Sequence, residues 1–360
     1  MRVELCKRVS RAILATARSA RWTAALVIGT ASLLTACAPQ KASNALPTLQ
    51  VDPARVHVAG ISSGGYMATQ AQLAYPEIFH NAALVAGGPY GCAQGKIETA
   101  LGTCMKGIPA PDATALAEKA RARAAKGEIG AIKDLAGAKI YVLHGTKDPV
   151  LADNVAKAAG DFYTALKAAE PALSSLEVSF DGAREFSHTL PTENSGSACD
   201  KVEAPFLGKC GFDAAGAIFA ALYGPPAHAP AAAAGELRRF DQNAYKPGGA
   251  DAYLADNGYV YVPPACASGK RCGVLVALHG CLQNADSVGE AFVRDAGFNR
   301  WADVYDVAVL YPQTRANYAP LNPKACWDWF GYSGANYDSR DGVQLRWLTA
   351  ALAALGRSAH

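Results

Sequence analysis

Residues 55–68 read RVHVAGISSGGYMA, and the fold follows from how that stretch has to lie. Arg55–Ala59 alternates as a short β-branched strand does, and Gly64–Ala74 (GGYMATQAQLA) carries the pattern of an Ala-rich helix. Between them stands Gly60-Ile61-Ser62-Ser63-Gly64. A strand that turns directly into a helix leaves room only for small residues beside the turn. It also lifts the central serine hydroxyl above the sheet. Ser62 is therefore the candidate nucleophile, set against a Gly-rich helix entry that does no chemistry.

Outward from this turn, short apolar runs alternate with helical patterns, which predicts a parallel sheet flanked by helices. Strands are expected at 55–59, 82–86, 139–143, 176–180, 259–262, 273–278 and 307–311. Helices are expected at 64–74, 111–126, 155–169, 214–223, 287–302 and 341–355. Residues 224–235 (GPPAHAPAAAAG) form a Pro/Ala-rich connection inside one catalytic domain spanning 50–360. No internal repeat is visible, which excludes solenoids and propellers.

A nucleophilic serine needs a histidine within hydrogen-bond reach and a carboxylate that orients the imidazole. On sheets with this strand–turn–helix the chain order is serine, acid, histidine. Of seven histidines, His57 lies in the elbow strand, His80 before the next strand, His228 in the linker and His360 at the terminus. His144 ends a strand, and His279 opens a later motif. His188 lies in the polar loop REFSHTLPT after a strand, and Asp148 follows the strand KIYVL by a short loop. Asp148 and His188 complete the expected triad, with Asp153 and Asp181 as the fallback acids.

The formal charge is +3, and six basic residues with one acid fall in residues 1–36. Residues 37–360 then hold 28 basic and 30 acidic residues, about −2, so no basic footprint for nucleic acid exists. The apolar run Thr23–Ala36 is too short to span a bilayer comfortably and suits a signal peptide. It ends in Leu34-Thr35-Ala36-Cys37, which is similar to a bacterial lipobox; Cys37 is the candidate lipidation site and 37–49 a tether. The expected location is the bacterial cell envelope through that lipid anchor, with secretion as the alternative. Apart from Cys6 and Cys37, eight cysteines remain, an even set that in an exported chain implies disulfides. Eight cysteines allow 105 pairings. Proximity favours Cys92–Cys104, Cys199–Cys210 and Cys266–Cys272, leaving Cys281–Cys326. A zinc site has no CxxC pair or His cluster behind it.

One part of such a site is still wanting, a second backbone donor for a developing oxyanion. Almost no mature chain precedes Ser62 to supply it, but Val274–Leu278 runs into His279-Gly280-Cys281 far downstream. The helix at 341–355 then ends the chain where it would otherwise feed the elbow strand. The sequence therefore reads as circularly permuted, with 224–235 joining the old ends.

As a set, VDPARVHVAGISSGGYMA, VLHGTKDPV, SHTLPT, CGFDAAGAIFAALYG, LVALHGCLQN and CWDWFGY resemble the polyhydroxybutyrate (PHB) depolymerase family, in its permuted type. The resemblance covers essentially all of residues 50–355. It implies an α/β-hydrolase fold with a mostly parallel sheet, the elbow near the N-terminus and the oxyanion segment near the C-terminus. It further implies hydrolysis of (R)-3-hydroxybutyrate polymers or oligomers by Ser62, Asp148 and His188, with the N–H groups of Ser63 and Cys281 as oxyanion donors. A Cys281–Cys326 disulfide would rigidify the second donor. The resemblance also points to a tryptophan in contact with substrate, so Trp327 and Trp329, with Tyr66, are the candidate substrate-binding residues. The two tryptophans share a face only if their segment is extended. No metal or organic cofactor is expected. The expected partners are a polyester or oligoester substrate and a membrane through the lipid anchor alone, with the protein a monomer. A feruloyl or acetyl-xylan esterase is the alternative within enzymes, and a non-catalytic polyester- or glycan-binding lipoprotein the alternative outside them.

Overall fold

Val51–Ile61 forms β1 and turns its side chains to opposite faces of a sheet. Val56 and Val58 join one apolar cluster, while Ala59 and Ile61 join the other. The computed structural model describes residues 44–356. The leader at 1–36, Cys37, the first part of the tether and His360 lie outside the described residues, as does Cys6.

From β1 the chain enters α1 (Ser63–Ala74), β2 (Ala82–Val85), the short α2 (Ile97–Leu101), α3 (Ala113–Ala125), β3 (Lys139–Gly145), α4 (Asp153–Ala169) and β4 (Glu177–Arg184). A small side sheet follows, made of β5 (Leu190–Thr192), β6 (Ser197–Ala198) and β7 (Leu207–Lys209), then α5 (Ala214–Tyr223). Next come β8 (Glu236–Asp241), β9 (Asn257–Val262), α6 (Pro264–Ala267) and β10 (Cys272–Leu278). The last part holds α7 (Ala285–Val288), α8 (Ala291–Asp295), α9 (Phe298–Tyr305), β11 (Val307–Tyr311), the ribbon β12 (Asn317–Tyr318) and β13 (Leu321–Asn322), and α10 (Val343–Ala354).

The eight-stranded sheet runs β4-β3-β2-β1-β10-β11-β9-β8, and within it β9 alone runs against the others. Helices α1, α3, α4 and α10 pack on one face, and α5, α8 and α9 on the other. Strand β1 lies between β2 and β10, so the two loops that leave those neighbours flank the turn after Ile61. The fold is the expected α/β arrangement with a mostly parallel sheet.

Two local expectations are corrected. The single helix expected at 287–302 is three short ones, because Gly289 (φ 63°) and Gly297 (φ 91°) take left-handed conformations that stop a helix. Strand β8 (ELRRFD) was not expected at all. It is an edge strand, and its charged side chains hide the apolar signal while discouraging pairing with other chains. The 224–235 stretch connects α5 to β8. Among the described residues no helix is long and apolar enough to cross a membrane.

Candidate active site

Ser62 occupies a backbone conformation, φ 57° and ψ −121°, that L-residues rarely adopt. Hydrogen bonds on both sides hold it there: its N–H donates to Val85 O (2.9 Å), and its carbonyl accepts from Tyr66 N–H (3.1 Å). The glycines of the motif answer to contact distances. A Cβ on Gly60 would lie 2.1 Å from Gly64 O, and one on Gly64 would lie 2.4 Å from Leu278 O and 2.5 Å from His279 O. The elbow is thus pressed against the end of β10. Ser63, as the first residue of α1, has no carbonyl four residues back within the helix, which leaves its N–H available.

His188 Nε2 lies 2.9 Å from Ser62 Oγ, and Nδ1 lies 2.7 Å from Asp148 Oδ2. With Nδ1–H donating to the carboxylate, Nε2 is the acceptor for the serine hydroxyl. The other oxygen, Asp148 Oδ1, accepts from Val150 N–H (2.8 Å) and Leu151 N–H (2.9 Å). Burial pushes the Asp148 carboxyl upward, but the His188 hydrogen bond and charge, with those two N–H groups, more than offset it. The carboxyl sits below its usual range and stays ionised. The loop bearing His188 is fixed by the side sheet, where Ser187 N–H donates to Cys199 O (3.0 Å) and Cys199 is bonded to Cys210.

The structure gives the fallback acids other partners. Asp153 accepts from His144 Nε2 (2.8 Å), and Asp181 is held by Arg184 (2.7 Å) and Tyr141 (3.2 Å). Burial lowers the His57 pKa to about 3, and its ring lies between Val56 O and the Asn81 side chain. His279 is likewise kept neutral, with a pKa lowered to about 4 by burial. Its Nδ1–H donates to Gly280 O (2.7 Å), and Nε2 accepts from Thr314 N–H (3.2 Å). Because a trans peptide points its C=O and N–H in opposite directions, fixing Gly280 O also fixes the direction of Cys281 N–H. Gly280 runs close to Ser62, since a Cβ there would lie 3.4 Å from Ser62 Cβ.

The cysteines pair as Cys92–Cys104, Cys199–Cys210, Cys266–Cys272 and Cys281–Cys326. The last ties the His279–Cys281 loop to the aromatic segment CWDWFGY. Asp328 orders that segment by accepting N–H bonds from Gly331 (2.7 Å), Tyr332 (2.9 Å) and Ser333 (2.8 Å). Ser62 and His188 open into a cleft of about 760 Å³ with mostly apolar walls. Trp329 lines it, stacked on Tyr66 at 4.7 Å between ring centroids, and the Tyr66 hydroxyl donates to Cys104 O. Around the mouth stand the exposed apolar side chains Ile97, Leu101, Val202, Leu282 and Leu321.

Trp327 is a correction. It is wholly buried, 5.6 Å from the His279 ring, and packs beneath the cleft instead of lining it. Trp329 N–H donates to Trp327 O (3.0 Å), so this stretch is turned, not extended, and the two rings diverge. The sequence reading did not single out Phe206, Met105 or Gln283, which also line the cleft. Gln283 stood in LHGCLQN, but nothing local marked it. Among the described residues, no group of three His, Cys, Asp or Glu is placed to hold a metal ion.

The profile of the family described as Esterase PHB depolymerase matches residues 257–355. A polyhydroxybutyrate depolymerase of Talaromyces funiculosus is 36% identical over 86% of this chain and 91% of its own length. A poly(3-hydroxybutyrate) depolymerase of Delftia acidovorans is 35% identical over 85% of this chain, which spans 60% of that relative's length. The crystal structure of a PHB depolymerase from Penicillium funiculosum superposes with a TM-score of 0.76 at 31% identity, covering 87% of this chain and 98% of the other. A second structure, a serine-to-alanine variant of a PHB depolymerase complexed with an R3HB trimer, matches equally well.

Proposed function

Because the chain belongs to the esterase PHB depolymerase family, we propose that it is a serine ester hydrolase that cleaves poly(3-hydroxybutyrate) or its oligomers. Ser62 is the nucleophile, His188 the general base, Asp148 the group that orients it, and Ser63 and Cys281 supply the two oxyanion N–H groups. The observation that carries this reading is the file Ser62–His188–Asp148, hydrogen-bonded at 2.9 and 2.7 Å and opening into an apolar cleft.

His188 Nε2 takes the proton of Ser62 Oγ as that oxygen attacks the ester carbonyl. Asp148 stabilises the imidazolium that forms. Negative charge developing on the carbonyl oxygen is met by the two N–H groups, each worth about 10²–10³ in rate. The imidazolium then protonates the leaving alcohol, and the acyl-enzyme is hydrolysed by water that His188 activates in the same way. Among the described residues no carboxylate lines the cleft, which suits an uncharged, methyl-bearing polyester. The R3HB trimer complex of the related depolymerase supports the same substrate class here. Trp329, held by Tyr66, is the wall against which the substrate's apolar edge packs.

Residues 50–360 form the catalytic domain in this reading, behind a signal peptide at 1–36 and a tether from the lipidated Cys37. The four disulfides among the described residues suit an exported chain. The permuted order is supported by Leu49 N–H donating to Leu355 O (2.8 Å), which sets the end of α10 beside the entry to β1.

The test is hydrolysis of amorphous poly(3-hydroxybutyrate) by purified residues 38–360, beside Ser62→Ala and a feruloyl ester. Hydroxybutyrate release that disappears in the variant supports both nucleophile and substrate class. Turnover of the feruloyl ester alone would move the enzyme to carbohydrate esters, and undiminished release by Ser62→Ala would refute the nucleophile.

A further inference from the structure

We propose that Gln283 is a positioning residue for the reaction: it sets the second oxyanion donor by tying the Gly280–Cys281 loop to the segment that carries His188. The inference rests on the reading of Cys281 N–H as an oxyanion donor.

All of its side-chain amide is committed. Oε1 accepts from Gly280 N–H at 2.9 Å, and Nε2 donates to Phe206 O at 3.0 Å and to Pro205 O at 3.2 Å. One end faces an N–H and the other faces two carbonyls, so only one orientation of the amide satisfies its partners. The side chain is 1% exposed, so water cannot stand in for a lost bond.

Phe206 O accepts a second bond, from Leu190 N–H at 3.0 Å, and Leu190 lies two residues after His188. A single carbonyl therefore joins the oxyanion loop and the base-bearing segment. Both loops hold left-handed residues, Phe206 at φ 57° and Leu282 at φ 58°, conformations that need external support. Other contacts restrain other atoms of the donor loop. His279 takes Gly280 O, and Cys326 takes the Cys281 sulfur. The Gly280 N–H is held by Gln283. Without it the His279–Gly280 peptide loses that restraint, the Gly280 Cα from which the Cys281 N–H is carried can shift relative to Ser62, and an oxyanion bond is weakened in the transition state while ground-state contacts with the cleft remain.

The experiment compares Gln283→Met and Gln283→Glu with wild type on a soluble hydroxybutyrate trimer ester. Methionine keeps the length and apolar volume, whereas glutamate turns an acceptor toward the Pro205 and Phe206 carbonyls. Three readouts are taken: kcat and KM, the affinity of a trifluoromethyl ketone that adds to Ser62 as a tetrahedral oxyanion, and the binding of 3-hydroxybutyrate. The expected result is a fall in kcat of about 10- to 100-fold with KM changed less than about three-fold. Ketone affinity should weaken in parallel with kcat/KM, and product binding should not change. Should the methionine variant fail to fold, the isosteric glutamate variant carries the same readouts. Folded variants that keep kcat within about three-fold, or lose kcat without losing ketone affinity, overturn the proposal. A failure of the catalytic reading is separate, because Ser62→Ala would then retain activity.

Discussion

Replacing Ser62 by glycine should make the protein more stable than replacing it by alanine, although both variants lose the hydroxyl. Ser62 is held at φ 57° and ψ −121°, and alanine keeps the Cβ that makes this conformation unfavourable. A residue held in so sparsely populated a region stores about 1–3 kcal/mol. Glycine releases that strain but loses about 0.5–1 kcal/mol to its greater freedom in the unfolded chain. The balance favours glycine by roughly 0–2.5 kcal/mol, with about 1.2 kcal/mol as the central value. For a domain of roughly 310 residues the unfolding entropy is about 0.65 kcal/mol per degree, so Ser62→Gly should melt about 2 °C above Ser62→Ala. Differential scanning calorimetry at one scan rate, with disulfides intact, reads the difference. At an ordinary backbone position glycine melts below alanine. That order here would refute the claim that the elbow stores strain to present the hydroxyl.

Asp148→Asn should lower kcat by about 10⁴, since the amide favours the wrong imidazole tautomer; stopped assays with a soluble ester will show it. Its stability cost has a definite pH dependence. The Asp148 carboxyl is depressed in the folded protein, so its contribution is present above the unfolded carboxyl pKa of about 3.9 and lost as pH falls through the lower folded value. Urea midpoints of wild type and variant should therefore be well separated at neutral pH and converge on acidification; a constant gap would count against the hydrogen-bonded carboxylate. Trp329→Ala should raise KM for oligomers about ten-fold, while Trp327→Ala should chiefly destabilise the fold, by about 3–5 kcal/mol. Kinetics and melting measured on both variants test that division, and equal KM effects would contradict it.

The elbow was legible because its signals are local. Two valines alternate into the strand, and the glycines fall where no Cβ has room. The order of Ser62, Asp148 and His188 was legible because each follows its own strand. Three features were not, each for a physical reason. Strand β8 pairs at the sheet edge, where Glu236, Arg238, Arg239 and Asp241 give it the composition of a loop. Trp327 and Trp329 are indistinguishable by type, and only the turn between them sends one beneath the cleft and the other into it. Gln283 acquires its place by bonding to carbonyls 77 and 78 residues away, a relation no local pattern encodes.

The permuted order itself can be tested by rejoining the chain. Strand β1 begins where α10 ends: Leu49 N–H donates to Leu355 O, and a Cβ on Gly356 would lie 2.2 Å from Leu49 O. The connection at 225–234 is mostly exposed and runs between α5 and β8. A chain that starts within 225–234, continues to Gly356, crosses a linker of about two residues and resumes at Gln50 would therefore keep every strand of the large sheet. Closing a loop of about two residues and opening one of about ten changes the loop entropy by only about 1.4 kcal/mol. Omitting residues 44–49 removes the buried Leu46 and Leu49, at about 1.5–3 kcal/mol each, so the linear chain 50–356 is the proper reference. The rejoined chain should melt within a few degrees of that reference and react with a fluorophosphonate at a similar rate. Loss of folding in the rejoined chain alone would mean that the ends meet only in outline, and the permuted reading would fall with it.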